Sequence, residues 1–244
     1  MIIVGDIGNT ETKICLVNSK NIIIKRVTLI TKKINYLLLK KSLASLSLKD
    51  KVIDKCLFCS VVPKSFNEIK SFFNKTYKIK CNELKKLKLN KLIKIKANYK
   101  QIGSDRLANA ISVINNKDNF IILDFGTATT FDVLIKNTYL GGVIAPGVKL
   151  SLDTLTDKAT QIPRVSLKKI NKVVGLNTIS AVRAGFFWGY EGLIDNIINL
   201  IKKETKMSFK IIFTGGFSYL FKNSTKTKVT LNKDITINGL IRAT

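Results

Sequence analysis

The chain has no histidine, one tryptophan, three prolines and, set against 42 lysines and arginines, only 16 acidic residues. Without imidazole, Cys56-Leu-Phe-Cys59 has the spacing of a redox pair or half a zinc site but nothing to complete it, since no second Cys-x-x-Cys exists. Cys15, Cys56, Cys59 and Cys81 therefore read as packed, reduced thiols. No apolar run reaches membrane-spanning length, and Met1 leads straight into a strand pattern without the layout of a signal peptide, so a cytoplasmic protein with no membrane partner is expected. Arginine is confined to Arg26, Arg106, Arg164, Arg183 and Arg242, and no basic stripe is interleaved with aromatics. The net charge of +26 would attract anions of any kind. It comes with abundant isoleucine and asparagine, however, which is the pattern of AT-rich codons rather than of a nucleic-acid surface. The lysine-rich run 78–100 is the one candidate patch for nucleic acid, and its interleaved Leu and Ile residues read as strands or a short helix with solvated faces.

What is present is a soluble globular composition, 45% hydrophobic and 24% charged, in 244 residues, enough for two domains of about 120. Two stretches organise it. Residues 2–17 read as two short strands joined by a polar turn, Asp6-Ile7-Gly8-Asn9-Thr10-Glu11-Thr12-Lys13, and residues 121–135 repeat the plan around Asp124-Phe125-Gly126-Thr127-Ala128-Thr129-Thr130. Glycine lets main-chain N–H groups crowd a phosphate, Thr and Asn add donors, and an aspartate at a strand end can hold a hydrated Mg²⁺. Lys13 can reach back as a point charge. One Asp-x-Gly turn alone is an ordinary hairpin. Two copies, each followed by Thr and flanked by apolar strands, suggest related halves facing one ligand.

The elements expected along the first half are strands at 2–17 and 21–29, a helix within 32–48, a strand over 52–62 ending at Pro63, and a helix from a Ser65 cap through Phe73. That order is the order of a ribonuclease-H-like or actin-like half. Gly103-Ser104-Asp105-Arg106 then opens a helix whose inner stripe is Leu107, Ile111 and Ile114. Asp105 suits a helix first turn, whereas Arg106 opposes the dipole and makes better sense aimed at a ligand. The second half repeats the strands at 120–135. Gly141-Gly142 and Pro146-Gly147 bracket a third strand, and a helix follows at 148–155. A long helix spans 178–203 with Ile179, Val182, Phe186, Leu193, Ile197 and Leu200 or Ile201 as its apolar stripe. A last strand at 210–213 closes on Thr214-Gly215-Gly216-Phe217-Ser218, where an adenosine could lie against backbone.

Taken in order through the whole chain, Asp6 to Thr10 with Lys13, Gly103 to Arg106, Asp124 to Thr130, Gly141 to Gly147, Asn177-Thr178 and Thr214 to Gly216 resemble the type III pantothenate kinases, also called the Baf or CoaX type. No motif position departs from that pattern. The resemblance implies an α/β, actin-like (ribonuclease-H-like) duplicated two-domain fold of the ASKHA kinases, with halves at 1–116 and 117–244. It implies phosphorylation of pantothenate to 4'-phosphopantothenate, the first step of coenzyme A biosynthesis, by a homodimer using ATP, Mg²⁺ and K⁺ or NH₄⁺. By motif position, Asp6, Ile7, Gly8, Asn9, Thr10, Glu11, Thr12 and Lys13 with Thr127 would meet ATP, Asp6 also serving Mg²⁺. Gly103, Ser104, Asp105, Arg106 and Thr178 would meet pantothenate, Asp105 would be the catalytic proton acceptor, and Asp124 would hold the monovalent cation. Ala184, Gly185 and Gly189 on the long helix are compatible with a helix-mediated dimer.

Two rivals share parts of this reading. Another small-molecule kinase or phosphatase on the same scaffold keeps the phosphate turns but has no use for Gly103 to Arg106. A nucleic-acid-binding regulator would use the charge and ignore the turns.

Overall fold

The computed structural model describes residues 1–48 and 51–244. The chain forms two compact units, Met1–Ile114 with Asp234–Thr244, and Asn115–Lys233.

In the first unit, β1 (Ile2–Ile7), β2 (Glu11–Val17) and β3 (Ile23–Ile30) form an antiparallel meander, and β4 (Lys55–Ser60) and β5 (Asn82–Glu83) continue the sheet in parallel, in the order β3-β2-β1-β4-β5. A parallel neighbour requires a crossover, which α1 (Tyr36–Leu43) supplies between β3 and β4, as α2 (Pro63–Tyr77) does between β4 and β5. Pro63 opens α2 as its first residue, where a missing N–H costs nothing, so the helix starts two residues ahead of the expected Ser65 cap. Ile3, Ile7, Ile14 and Leu16 pack with Phe58, Ile69, Phe72 and Phe73 in the core of this unit. The lysine-rich run holds β5, a second two-residue strand, β6 (Lys94–Ile95), and single-turn 3₁₀ helices that bury Leu84 and Leu89. Next comes α3 (Ser104–Val113), with Leu107 and Ile111 inside.

The second unit repeats the scheme. Its meander is β7 (Asn119–Phe125), β8 (Ala128–Ile135) and β9 (Thr138–Pro146). α4 (Val148–Lys158) and α5 (Thr178–Thr205) then lead to β10 (Lys210–Gly215), which joins β7 in parallel. The short α6 (Ser218–Phe221) precedes β11 (Val229–Leu231), parallel to β10. The order β9-β8-β7-β10-β11 is that of the first unit, so the duplication first seen in two similar turns extends to the topology of each half.

Two expectations are corrected. The inner face of α5 is Ala184, Phe187, Tyr190, Ile194, Ile198 and Ile201, which agrees with the expected stripe at Ile201 but elsewhere lies one residue on from it, while Phe186, Leu193 and Ile197 are only partly covered. With three consecutive aromatics at 186–188 the period fits either face, and only contact with β7 and β10 side chains such as Phe213 decides between them. The second correction concerns the boundary between units. The last eleven residues return to the first unit as α7 (Ile235–Ala243), instead of belonging to a continuous half from 117 to 244.

α7 is fixed by close approach to α3. A Cβ on Gly239 would stand 1.8 Å from the Ala108 carbonyl oxygen, so no side chain fits. Thr236 Oγ1 donates to Asn109 Oδ1 at 2.7 Å, and Arg242 donates to the Ile111 carbonyl at 3.1 Å. Gly239→Ala must therefore push α7 away from α3, and overpacking of this kind costs roughly 1–3 kcal/mol. A thermal midpoint lower by ~2–4 °C per kcal/mol is expected; an unchanged melt would show that the crossing tolerates the methyl group.

Candidate active site

The first turn is tied at several points. Gly8 N–H donates to the Glu11 carbonyl at 3.0 Å, closing the bend between β1 and β2. Thr31, just past β3, steadies it from behind. Its N–H donates to Thr10 O at 3.0 Å, its hydroxyl donates to Gly8 O at 2.7 Å, and the same hydroxyl lies 2.9 Å from Thr12 Oγ1. Asn9, Thr10 and Glu11 are left exposed at the tip. No local motif singles out Thr31; only the register of β2 against β3 brings it there.

Asp6 stands opposite Lys13 in the β1–β2 ladder and beside Cys59 in β4, whose thiol donates to Asp6 Oδ1 at 3.4 Å. Burial, followed by the charge of Asp105, pushes the Asp6 carboxyl up to about 6, against the opposing pull of the Cys59 thiol and Lys13. Asp6 and Asp105, ninety-nine positions apart in sequence, thus share one electrostatic field inside the first unit. The Cys59 thiol is driven well above its ordinary range by burial and then by Asp6 and Asp105, so it stays protonated and acts as a donor. All four cysteines are free and buried, as expected of packed thiols.

α3 begins without a side-chain N-cap, because its N-cap residue is Gly103. Asp105 substitutes for the cap by turning its own Oδ1 back to accept the Arg106 N–H at 2.8 Å. The carboxylate then lies over Gly103, where a Cβ would come within 2.4 Å of Oδ1. The Arg106 N–H thereby fixes Oδ1 of the carboxylate. Burial raises the Asp105 carboxyl, and the Arg106 N–H and guanidinium partly offset this. Ser104 is 2% exposed and its hydroxyl donates to Glu83, so its side chain is already engaged within the protein.

In the second unit Asp124 lies near the end of β7, across from Thr214 on β10 and Thr130 on β8. Gly215 has φ +82°, and a Cβ there would stand 2.6 Å from Asp124 Oδ1, so this position needs glycine on both counts. Gly216 N–H donates to Phe125 O at 3.1 Å, which joins the Thr214 to Gly216 strand end to the Asp124 turn. Gly126 and Thr127 are exposed at the tip of that turn. Thr129 and Thr130 carry buried hydroxyls with no hydrogen-bond partner among the described residues. Thr178 opens α5 behind a capping box in which Asn177 and Ser180 satisfy each other's backbone N–H groups, and it lines a cavity of about 500 Å³ with Thr160, Gln161, Pro163 and Asn177.

A model of the type III pantothenate kinase family matches residues 2–200. A curated type III pantothenate kinase from Pelagibacter ubique is 86% identical over 244 residues, covering 100% of this chain and 98% of its own length. The chain belongs to the type III pantothenate kinase family. A member from Syntrophotalea carbinolica is 33% identical, with 98% of this chain and 96% of that protein covered. Among solved structures the chain resembles a ROK family glucokinase from Streptomyces griseus with glucose and AMPPNP (TM-score 0.53, 12% identity, 99% of this chain and 97% of that chain covered). The fold is thus the actin-like, duplicated two-domain α/β fold of these kinases, in keeping with the repeated strand order of the two units.

Within that family framework, the motif residues of the first unit gather where β1 and β4 end, the usual location of ligands on parallel strands. A cavity of about 620 Å³ lined by Lys51, Asp54, Lys55, Tyr77, Lys78 and Lys80 opens instead where β4 begins, away from Asp6 and Asp105. Among the described residues no helix is long and apolar enough to cross a membrane, and no three His, Cys, Asp or Glu side chains group as a metal site.

Proposed function

We infer that this pantothenate kinase transfers the γ-phosphoryl group of ATP to the primary hydroxyl of pantothenate, giving 4'-phosphopantothenate at the start of coenzyme A biosynthesis. The observation that carries the residue assignment is the Asp105 carboxylate, fixed over Gly103 by the Arg106 N–H and sharing a field with Asp6. Phosphoryl transfer asks for positioning and charge neutralisation more than for covalent chemistry, and it needs no imidazole. Asp105 orients the attacking hydroxyl and takes its proton late, once bond formation has made that proton acidic. Arg106 forks onto the pantothenate carboxylate, with Gly103 and Ser104 contributing backbone and Thr178 a hydroxyl. Residues Asp6 to Lys13 present backbone N–H groups, hydroxyls and one ammonium to the phosphates, and Thr127 is a further ATP contact.

Mg²⁺ fits the donor set of the first unit, because this ion keeps most of its waters and takes one or two carboxylates together with substrate phosphates, and Asp6 is a carboxylate in the field of a second. When bound it would neutralise charge on the transferring phosphoryl group. A monovalent cation, K⁺ or NH₄⁺, fits beside Asp124, whose ladder partner Thr130 has a buried hydroxyl without a hydrogen-bond partner among the described residues. A homodimer is supported by Gly185, Gly189 and Gly192 on the exposed side of α5, where added side chains would meet nothing within 4 Å. A cytoplasmic location is the reading that suits an enzyme using ATP as phosphoryl donor.

A coupled ADP-release assay tests the assignment. ATP turnover is expected only with pantothenate present, and it should fall at least tenfold when potassium is replaced by lithium. Turnover with a sugar or acetate, or pantothenate-independent hydrolysis, would move the chain to another activity on the same scaffold. Asp124→Asn is expected to lose the potassium response; a variant that keeps it would remove Asp124 as the cation ligand.

A further inference from the structure

Residues 78–100 carry nine lysines and a single acid, Glu83. That acid is not at the surface ion-pairing with its neighbours. Its Oε1 accepts the hydroxyl of Ser104, the first residue of α3, and its Oε2 accepts the Lys85 N–H at 2.8 Å, capping the 3₁₀ turn Leu84–Lys86. Lys85 then reaches the other side of the same loop, where its ammonium donates to Lys100 O at 3.0 Å and to Ile102 O at 2.9 Å. Tyr99 completes the tie by donating its hydroxyl to Lys85 O at 2.7 Å, with its ring 5.4 Å from the Lys85 ammonium. The turn at 83–85 thus holds the chain just before Gly103 with one side chain and just after it with another. Asp105 and Arg106 follow directly. Glu83 is also close enough for its charge to act on Cys59 and Tyr99.

We propose that Glu83 and Lys85 are positioning residues for phosphoryl transfer, a two-sided clamp on the Gly103 bend that sets the Asp105 carboxylate against the acceptor hydroxyl. This rests on the kinase reading above. The residue before α3 carries no capping side chain, and the local tie that replaces it is made by Asp105 itself, so the bend has no local restraint independent of the carboxylate to be placed. A carboxylate that must meet one hydroxyl needs its backbone fixed from elsewhere, and a misplacement of about 1 Å can cost on the order of 10²-fold in rate.

Glu83→Ala removes one arm and Lys85→Met the other, neither touching the β1–β2 turn. For each, kcat is expected to fall ~10–100-fold while the KM for ATP stays within about twofold. Amide hydrogen exchange should quicken across 102–107 and not in 2–17. Glu83→Gln keeps an acceptor for Ser104 and should recover most of the lost rate. Wild-type kcat in both clamp variants, unchanged exchange at 102–107, or faster exchange throughout the first unit would each overturn the proposal. So would a Glu83→Gln variant as slow as Glu83→Ala, since the tether would then not be what matters. If Glu83→Ala does not fold, Lys85→Met against Lys85→Arg decides by the same measurements. A wild type without pantothenate-dependent turnover overturns the kinase reading and the catalytic part of the clamp with it, while exchange still reports separately whether the clamp holds the bend.

Discussion

Asp105→Asn is expected to lower kcat by about 10²–10⁴-fold, the range for loss of a positioned general base, with the thermal midpoint not lowered, since burial already disfavours the ionised carboxylate that the amide replaces. Asparagine is nearly isosteric, and its Oδ1 can still accept the Arg106 N–H that Asp105 accepts at 2.8 Å. The first turn of α3 should therefore survive, and the substitution isolates the proton-accepting role from the capping role. Because the phosphoryl transition state is largely dissociative, the proton leaves late and the loss should sit toward the lower end of the range. Pantothenate KM should change less than kcat, since Arg106 and Gly103 remain. Wild-type turnover by the purified variant would remove Asp105 as the base and leave it a helix cap.

Asp6→Asn should move activity and stability in opposite directions. Asp6 is partly exposed, yet burial and the nearby Asp105 raise its folded-state carboxyl from the ordinary 3.8 to about 6. A raised acid binds its proton more tightly in the folded chain than in the unfolded one, so stability declines as pH rises from about 4 to about 6. Above that window the ionised group costs at most roughly 3 kcal/mol at 1.4 kcal/mol per unit, and its partial exposure to solvent brings the expected cost nearer 1–2 kcal/mol. At pH 8, without nucleotide or magnesium, Asp6→Asn should melt several degrees higher than wild type; at pH 4 the two should melt alike. Turnover should fall by at least ~10², because a neutral amide is a poorer ligand than a carboxylate for the Mg²⁺ that would neutralise charge on the phosphates. Equal melting at both pH values would show that Asp6 is not strained in the folded chain, and near-normal turnover would remove it from the phosphate site.

Much of the fold was legible because the chain states its plan twice. The two Asp-x-Gly turns between apolar strands mark both meanders, and the strand order within each unit follows from where a crossover helix is needed. Gly103 to Arg106 stood out as a candidate site because an arginine in a helix first turn has no local reason to be there. The buried face of α5 was not, because apolar residues surround much of that helix and period alone fits two faces. Glu83 carried a faint signal as the one acid in a lysine run. Thr31 and Cys59 carried none, being an ordinary threonine and an ordinary buried thiol until the ladders bring them to Gly8 and Asp6.

By itself the sequence determined which residues have chemistry to offer and in what order, because Asp-x-Gly turns, a capless helix start and glycine pairs are local requirements written in adjacent residues. Tertiary structure alone decided that Asp6 shares a field with Asp105, that Lys85 and Glu83 grip either side of Gly103, and that α7 closes the first unit against Ala108. Those are distances between segments far apart in the chain. They are fixed only when buried surfaces meet in one register, and no local pattern encodes that.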